Sequence, residues 1–307
     1  MSGLFTFGES MGIFVADGIG PLEHARGFTL GVAGAESNVA IGVARLGGDA
    51  TWLGRLGPDA TGAIIAARLR ASGVRVLAVP DDAHTGLMIR YQRSSEFIQA
   101  DYHRAGSAGS RLVPADVPRA EIAAAGIVHV TGITPALSDT CRAAVFHAVE
   151  EARAAGVPVS VDVNYRGKLW SRFDAAPVLR DLVSRADVVF AGPEEAALFV
   201  DGDPVDGLAK LGPAEVVVKD GARGCAALIG GERFEVPALR VRAVDTVGAG
   251  DAFVAGYLAD RLAGADAGQR LRTAIAAGAF AVTVPGDCEG LPTRSELGAL
   301  GGGDIVR

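Results

Sequence analysis

Gly248, Gly250 and Asp251 stand together in the stretch Val244-Asp245-Thr246-Val247-Gly248-Ala249-Gly250-Asp251-Ala252-Phe253. The residues from Asp251 to Leu262 have helix-forming composition, which puts the glycines at a helix N-terminus. Such an end presents unpaired N–H groups and partial positive charge, a setting that suits a phosphate or phosphoryl oxygen. Glycine lets that backbone approach an anion closely. A carboxylate beside an anion site is out of place as a mere cap. It makes sense as a base that takes a proton from a hydroxyl about to attack phosphorus. The same residues also fit a plain glycine-rich turn with Asp in a first helical turn, where acids are favoured anyway. Local physics leaves both readings open.

Two other nucleotide fingerprints fail. GxxxxGK[ST] is absent, because Gly167-Lys168 is followed by leucine and lacks the upstream glycine. GxGxxG is absent too, since the run from Gly248 ends in Phe253. With no hydride-transfer constellation visible, an NAD-dependent dehydrogenase is disfavoured.

Charge and composition narrow the partners. Lys+Arg 29 against Asp+Glu 36 leaves −7, which disfavours a nucleic-acid backbone as ligand. With 49% apolar and 21% charged residues, wholesale disorder is excluded. The 42 glycines exceed the usual ~7% about twofold and show no G-X-Y period, so collagen is excluded. Cys141, Cys225 and Cys288 are odd in number, with neither a CxxC nor metal spacing, and read as reduced thiols of a cytoplasmic protein. The start MSGLFTFGES has no basic n-region and no long apolar core, unlike a signal peptide. No stretch reaches the ~20 apolar residues of a membrane span. A soluble protein with no membrane partner is expected.

Such a site needs a scaffold. Leu4–Phe7, Ile127–Val130, Val157–Val163, Val188–Phe190 and Val216–Val218 are short, continuous apolar runs, as expected of parallel strands buried on both faces. Between them, Ser37–Leu46, Thr61–Ser72, Asp139–Ala155 and Ala175–Ser184 carry helical spacing. Gly47, Gly73 and Gly156 stand where helix C-caps need positive φ. This alternation predicts an α/β fold, a doubly wound, mostly parallel sheet flanked by helices. Segments of about 12–32 and 85–104 break the rhythm and predict a small antiparallel sheet protruding as a lid. One domain over 1–307 is expected, with Gly301–Gly303 as a frayed tail.

AVDTVGAGDAF resembles the C-terminal signature of the ribokinase family of sugar kinases (phosphofructokinase-B type). Ala33-Gly34-Ala35-Glu36-Ser37-Asn38-Val39-Ala40, followed by Ala44-Arg45-Leu46-Gly47, resembles its first glycine signature. Val218-Lys219-Asp220-Gly221-Ala222-Arg223-Gly224 resembles its K-x-G-x-x-G nucleotide segment. Within the family the chain is most similar to the 2-keto-3-deoxygluconate kinases, through Tyr102–Gly109, Thr131–Leu137, Asp162–Arg166 with Leu169-Trp170, Gly286–Gly290, and Glu36 where fructokinases more often carry proline.

The resemblance implies an ATP-dependent transfer of the γ-phosphoryl group to the terminal hydroxyl of 2-keto-3-deoxygluconate, giving the 6-phosphate. Asp251 would be the base, with the N–H groups of Gly248, Ala249 and Gly250 as the anion hole. Gly34, Asn38, Tyr102, Arg104 and Arg166 would hold the sugar acid; Asn38 could instead be only a turn or helix cap. Asn164, Lys219, Gly221, Gly224, Thr246, Gly248 and Gly250 would line the nucleotide. Glu195 would act on Mg²⁺ indirectly, and Asp245, Val247 and Gly286 could form a monovalent cation site for K⁺. Exposed lid strands suggest a homodimer through the lid.

A sugar acid carries a carboxylate, so its pocket needs a cation that a neutral sugar does not. Arg166 falls just past a predicted strand end, where open α/β sheets gather ligands, and arginine suits bidentate carboxylate binding. Any given arginine is otherwise a solvated surface charge. Three departures from the family pattern stand out: Met88 where the subgroup often has an aromatic residue, Gly192 in place of the asparagine of N-x-x-E, and the absence of a nucleotide-site asparagine near Ile275. Rival substrates are fructose, 2-keto-3-deoxygalactonate or a nucleoside; a rival class is a sugar- or nucleotide-binding protein without catalysis.

Overall fold

The computed structural model describes residues 3–94 and 97–300, so the Gly301–Gly303 tail lies outside the described residues. The strands are β1 (Leu4–Phe7), β2 (Met11–Ile19), β3 (Phe28–Ala33), β4 (Ala50–Leu56), β5 (Arg75–Pro80), β6 (Leu87–Ser94), β7 (Phe97–His103), β8 (Ile127–Thr131), β9 (Val159–Asp162), β10 (Val188–Ala191), β11 (Glu215–Lys219), β12 (Cys225–Ile229) and β13 (Glu232–Val236). Among these residues nine strands form one sheet in the order β13-β12-β11-β10-β9-β8-β1-β4-β5. Pairing is parallel from β11 through to β5, while β12 and β13 add an antiparallel edge.

The unbroken apolar runs follow from burial on both faces. Leu4, Ile127, Val188 and Val217 pack on one side with the helices Ala35–Arg45, Ala249–Leu262 and Ala267–Ala281. Their neighbours Phe5, Val128, Val189 and Val216 point to the other side, against Asp139–Ala154 and Arg172–Ser184. Gly47, Gly73 and Gly156 end their helices at φ +85°, +86° and +70°. β1, β8, β9, β10 and β11 pair in parallel, so their C-terminal ends share one edge of the sheet.

The second sheet, in the order β3-β2-β6-β7, is the expected lid. It is mixed rather than antiparallel: β2 runs parallel to β6, because the chain crosses to the main sheet and back between them. Residues directly opposite each other share a face, so Ile13, Met88 and Tyr102 lie on one side. Met88 is buried there with Met11, Ile13 and Ala33. An apolar cluster, rather than an aromatic side chain, fills this part of the lid.

Candidate active site

The helix Ala249–Leu262 begins with Gly248 at its N-cap, at φ +74°. A Cβ at Gly248 would come 2.1 Å from the carbonyl oxygen of Asp287, so no side chain fits. No side chain caps this end, which leaves first-turn N–H groups open to a ligand. A Cβ at Gly250 would stand 3.6 Å from Lys219 Nζ, so an ammonium flanks the same turn. The sequence motif therefore offers open N–H groups beside an ammonium.

Asp251, in the first turn, is buried. Its Oδ2 accepts from Asn38 Nδ2 at 2.8 Å, and the same nitrogen donates to Asp287 Oδ1 at 3.0 Å. Asn38 lies inside the helix Ala35–Arg45, so it is not a cap. Gly34 caps that helix at φ +156°, where a Cβ would strike Glu9 O at 2.6 Å. Burial pushes Asp251 up to about 6; the Asn38 bond opposes this, Asp162 adds to it, and Lys219 and Arg166 pull it down. The half-buried Asp287 is pushed up to about 7 by desolvation and by Asp251. Glu36 reaches about 7 through burial, although it accepts from Thr134 at 2.6 Å and Thr131 at 2.7 Å. Sequence reading passed over Asp287 as a site residue, since nothing local marks a loop aspartate 36 positions beyond Asp251.

The floor is built from strand ends. Lys219 Nζ, at the end of β11, sits 2.7 Å from Asp162 Oδ2, at the end of β9. Burial alone would lower the lysine; Asp162, Glu195 and Asp251 together hold it above its ordinary value. Asp162 Oδ1 is buried without a protein partner. Asp162 is a second residue that sequence reading missed; its place at a strand end just before Asn164 is the available signal. Asn164 is the one non-glycine at positive φ among the described residues, at +36°. Such backbone strain collects at ligand sites. Glu195 holds the following turn: Oε1 accepts from Tyr165 N at 3.0 Å and Oε2 from Gly192 N at 2.6 Å. Burial and Asp162 raise its pKa, against Lys219 and the two N–H groups.

On the remaining nucleotide positions the geometry is mixed. Gly221, at φ +51°, faces open space and Thr246 is exposed. Gly224 is glycine for packing, because a Cβ would lie 2.0 Å from Val236 O.

Toward the lid, Tyr102 is exposed and lies between two cations, with Arg104 Cζ and Lys168 Nζ each 5.6 Å from its ring. Arg104 is not the open cation that the sequence suggested. It is ion-paired with Glu9, a buried carboxylate that also accepts from Ser107 Oγ at 2.6 Å. A buried carboxylate needs a partner of opposite charge, and Arg104 supplies it. One Arg104 donor, Nε, is buried without a protein partner. Arg166, just past β9, is exposed and near enough to Asp251 to lower its pKa. Among the described residues it forms no ion pair, unlike Arg104.

The Asp245 corner also differs from expectation. Its carboxylate is ion-paired with Arg90 of β6 at 2.6 Å, and both side chains are buried. Among the described residues no group of three His, Cys, Asp or Glu could hold a metal ion. No helix among them is long and apolar enough to cross a membrane.

A doubly wound sheet whose strand ends carry an open helix N-terminus, a half-buried lysine and a buried carboxylate suits a small-molecule phosphotransferase. The chain belongs to the pfkB family of carbohydrate kinases, whose family model matches residues 1–294. It is 38% identical over 304 residues to a 2-dehydro-3-deoxygluconokinase of Bacillus subtilis (strain 168), covering 96% of this chain and 94% of that protein. A PfkB protein from Polaromonas sp. JS666 superposes with TM-score 0.88 at 37% identity, covering 97% of this chain and 100% of that one. A putative ribokinase II from E. coli in complex with ATP and Mg²⁺ superposes with TM-score 0.90 at 27% identity, over 97% and 98%.

Proposed function

We propose that the chain transfers the γ-phosphoryl group of ATP to the terminal hydroxyl of 2-keto-3-deoxygluconate (2-dehydro-3-deoxygluconate), giving the 6-phosphate. The observation that carries this reading is the exposed Arg166 beside the buried Asp251 at an open helix N-terminus. Such a pocket pairs a base for a hydroxyl with a cation for a carboxylate. The printed name of the B. subtilis relative supports the substrate, and the ATP and Mg²⁺ complex of the E. coli neighbour supports the cosubstrates.

Asp251 accepts the hydroxyl proton, aimed by Asn38. The N–H groups of Gly248, Ala249 and Gly250 receive charge on the transferring phosphoryl group, and Lys219 adds a fixed positive charge. Asn164, Gly221 and Thr246 face the nucleotide, and Gly224 shapes the turn that carries Gly221. When bound with ATP, Mg²⁺ would supply neutralisation of phosphate charge. Asp162, with its unpartnered buried oxygen, and Glu195, through water, are the residues suited to hold it. Gly34 gives the sugar close backbone approach, and Tyr102 packs against it.

The exposed Phe28 and Leu30 on the lid support a homodimer through that sheet. Three free cysteines fit a cytoplasmic setting.

The Arg104–Glu9 pair favours a second reading, a neutral ketose such as fructose, because it cancels one of the two expected cations. A coupled ATP assay across acid and neutral sugars separates them. Preference for 2-keto-3-deoxygluconate in kcat/KM supports the first reading, and preference for fructose replaces it. No turnover on any sugar would return the non-catalytic binding protein.

A further inference from the structure

The turn that leads into the anion hole is fastened at Asp245. Its Oδ1 accepts from Val247 N at 3.1 Å, and its Oδ2 accepts from Gly286 N at 3.1 Å. One carboxylate thus joins the 245–248 turn to the loop whose Asp287 packs on Gly248. The resemblance to the family put a monovalent cation here. The structure puts a guanidinium here instead: Arg90 Nη2 lies 2.6 Å from Asp245 Oδ2, with side-chain exposures of only 6% and 8%. Arg90 is also near enough to Asp287 to offset part of the rise in its pKa. Its Nη1 is buried without a protein partner, so its charge is matched at this corner chiefly by Asp245. The nearby Glu289 has its own counterion in Arg68, at 3.2 Å. A second monocation at Asp245 would meet a buried like charge and a carboxylate already holding three donors.

We propose that Arg90 is the resident cation of this corner, that the protein works without K⁺, and that Arg90 is a positioning residue coupling the lid to the anion hole. Arg90 enters from β6, whose cross-strand partner β7 carries Tyr102. The strand that braces the 245–248 turn is thus hydrogen-bonded along its length to the strand that carries Tyr102. The kinetic part rests on the kinase reading above; the binding part does not.

The test uses the full chain, freed of salt, in KCl, NaCl or tetramethylammonium chloride at one ionic strength. Melting temperature is read without substrates, and ATP turnover with the preferred sugar. A bound cation would raise the melting temperature by mass action. Equal melting and equal kcat in all three salts are expected. A rise in melting or in kcat specific to K⁺ overturns the proposal. Arg90→Ala should lose kcat more than it raises KM, and K⁺ or low millimolar guanidinium should restore part of it while leaving the wild type unchanged. Wild-type kcat in that variant overturns the positioning role. Should Arg90→Ala fail to fold, the wild-type salt comparison and Arg90→Lys, expected to stay indifferent to K⁺, still decide. Absence of turnover in every salt would strike the kinase reading alone, since melting is read independently.

Discussion

Asn38 and Asp251 stand 213 positions apart in the chain and meet at 2.8 Å, amide nitrogen to carboxylate. The bond favours the ionised carboxylate that a base requires, and it fixes which oxygen remains free for the substrate hydroxyl. Asp251→Asn keeps the volume and removes the base. Turnover should fall by about 10²–10⁴-fold. Calorimetric affinities for ATP and sugar should stay near wild type. Near-normal turnover would remove Asp251 from the base role.

The acids of the site set opposite slopes for stability and activity. Desolvation pushes Glu36, Asp251 and Asp287 up to about 7, 6 and 7 from ordinary values of 4.5, 3.8 and 3.8. The folded state binds these protons more tightly than the unfolded chain. Stability should therefore rise as pH falls from about 8 to about 5. Below about 4 it should fall, as Asp59 and Asp81, whose pKa values are lowered on folding, take up protons. The base must be ionised, so kcat/KM should drop as pH falls through about 6. Melting scans and pH–rate profiles on one buffer series check both slopes. Glu36→Gln should flatten the stability slope above pH 6.

The Lys219–Asp162 pair separates structure from chemistry. Lys219→Met strands a buried carboxylate, a loss of about 3–5 kcal/mol. Adding Asp162→Asn should recover much of that stability in denaturant titration. Turnover should remain low in the double variant, because it lacks both the cation beside Gly250 and the Asp162 carboxylate proposed to hold Mg²⁺. Recovery of turnover along with stability would make Lys219 a structural residue only.

Legibility in the sequence tracked the range of the interactions. The 244–253 turn was readable because a helix N-terminus and its glycines are local, and the buried parallel strands because their runs are continuous. β4, β5, β12 and β13 were not, since charged or small residues such as Gly54, Arg55 and Arg233 interrupt them. The lid segments were legible, but alternation carries no strand direction, so the parallel β2–β6 pairing was hidden. Arg104 and Asp245 were found as site residues, and their partners were not. Glu9 and Arg90 belong to no motif and reach the site only through tertiary packing.

The lid carries a prediction of its own. Phe28 and Leu30 lie two residues apart on β3, on one face and exposed. Leu30→Glu should shift the protein to monomer in sedimentation, if the free lid face is the dimer contact. An unchanged mass at all concentrations would refute that contact.

Arg166 and Arg104 differ in what they are free to do, and that difference can be read kinetically. Arg166 is exposed beside Asp251, whereas Arg104 neutralises Glu9. Arg166→Ala should raise KM for 2-keto-3-deoxygluconate by about 10–100-fold, the loss of one charge-assisted contact of about 1.5–3 kcal/mol. It should leave KM for fructose nearly unchanged. Arg104→Ala should harm both substrates and lower the melting temperature, because Glu9 is then buried without its counterion. Arg104→Ala with Glu9→Gln should regain stability, and with it the neutral sugar, more than the acid. Equal loss on acid and neutral sugars in Arg166→Ala would mean that Arg166 faces phosphate rather than the sugar carboxylate.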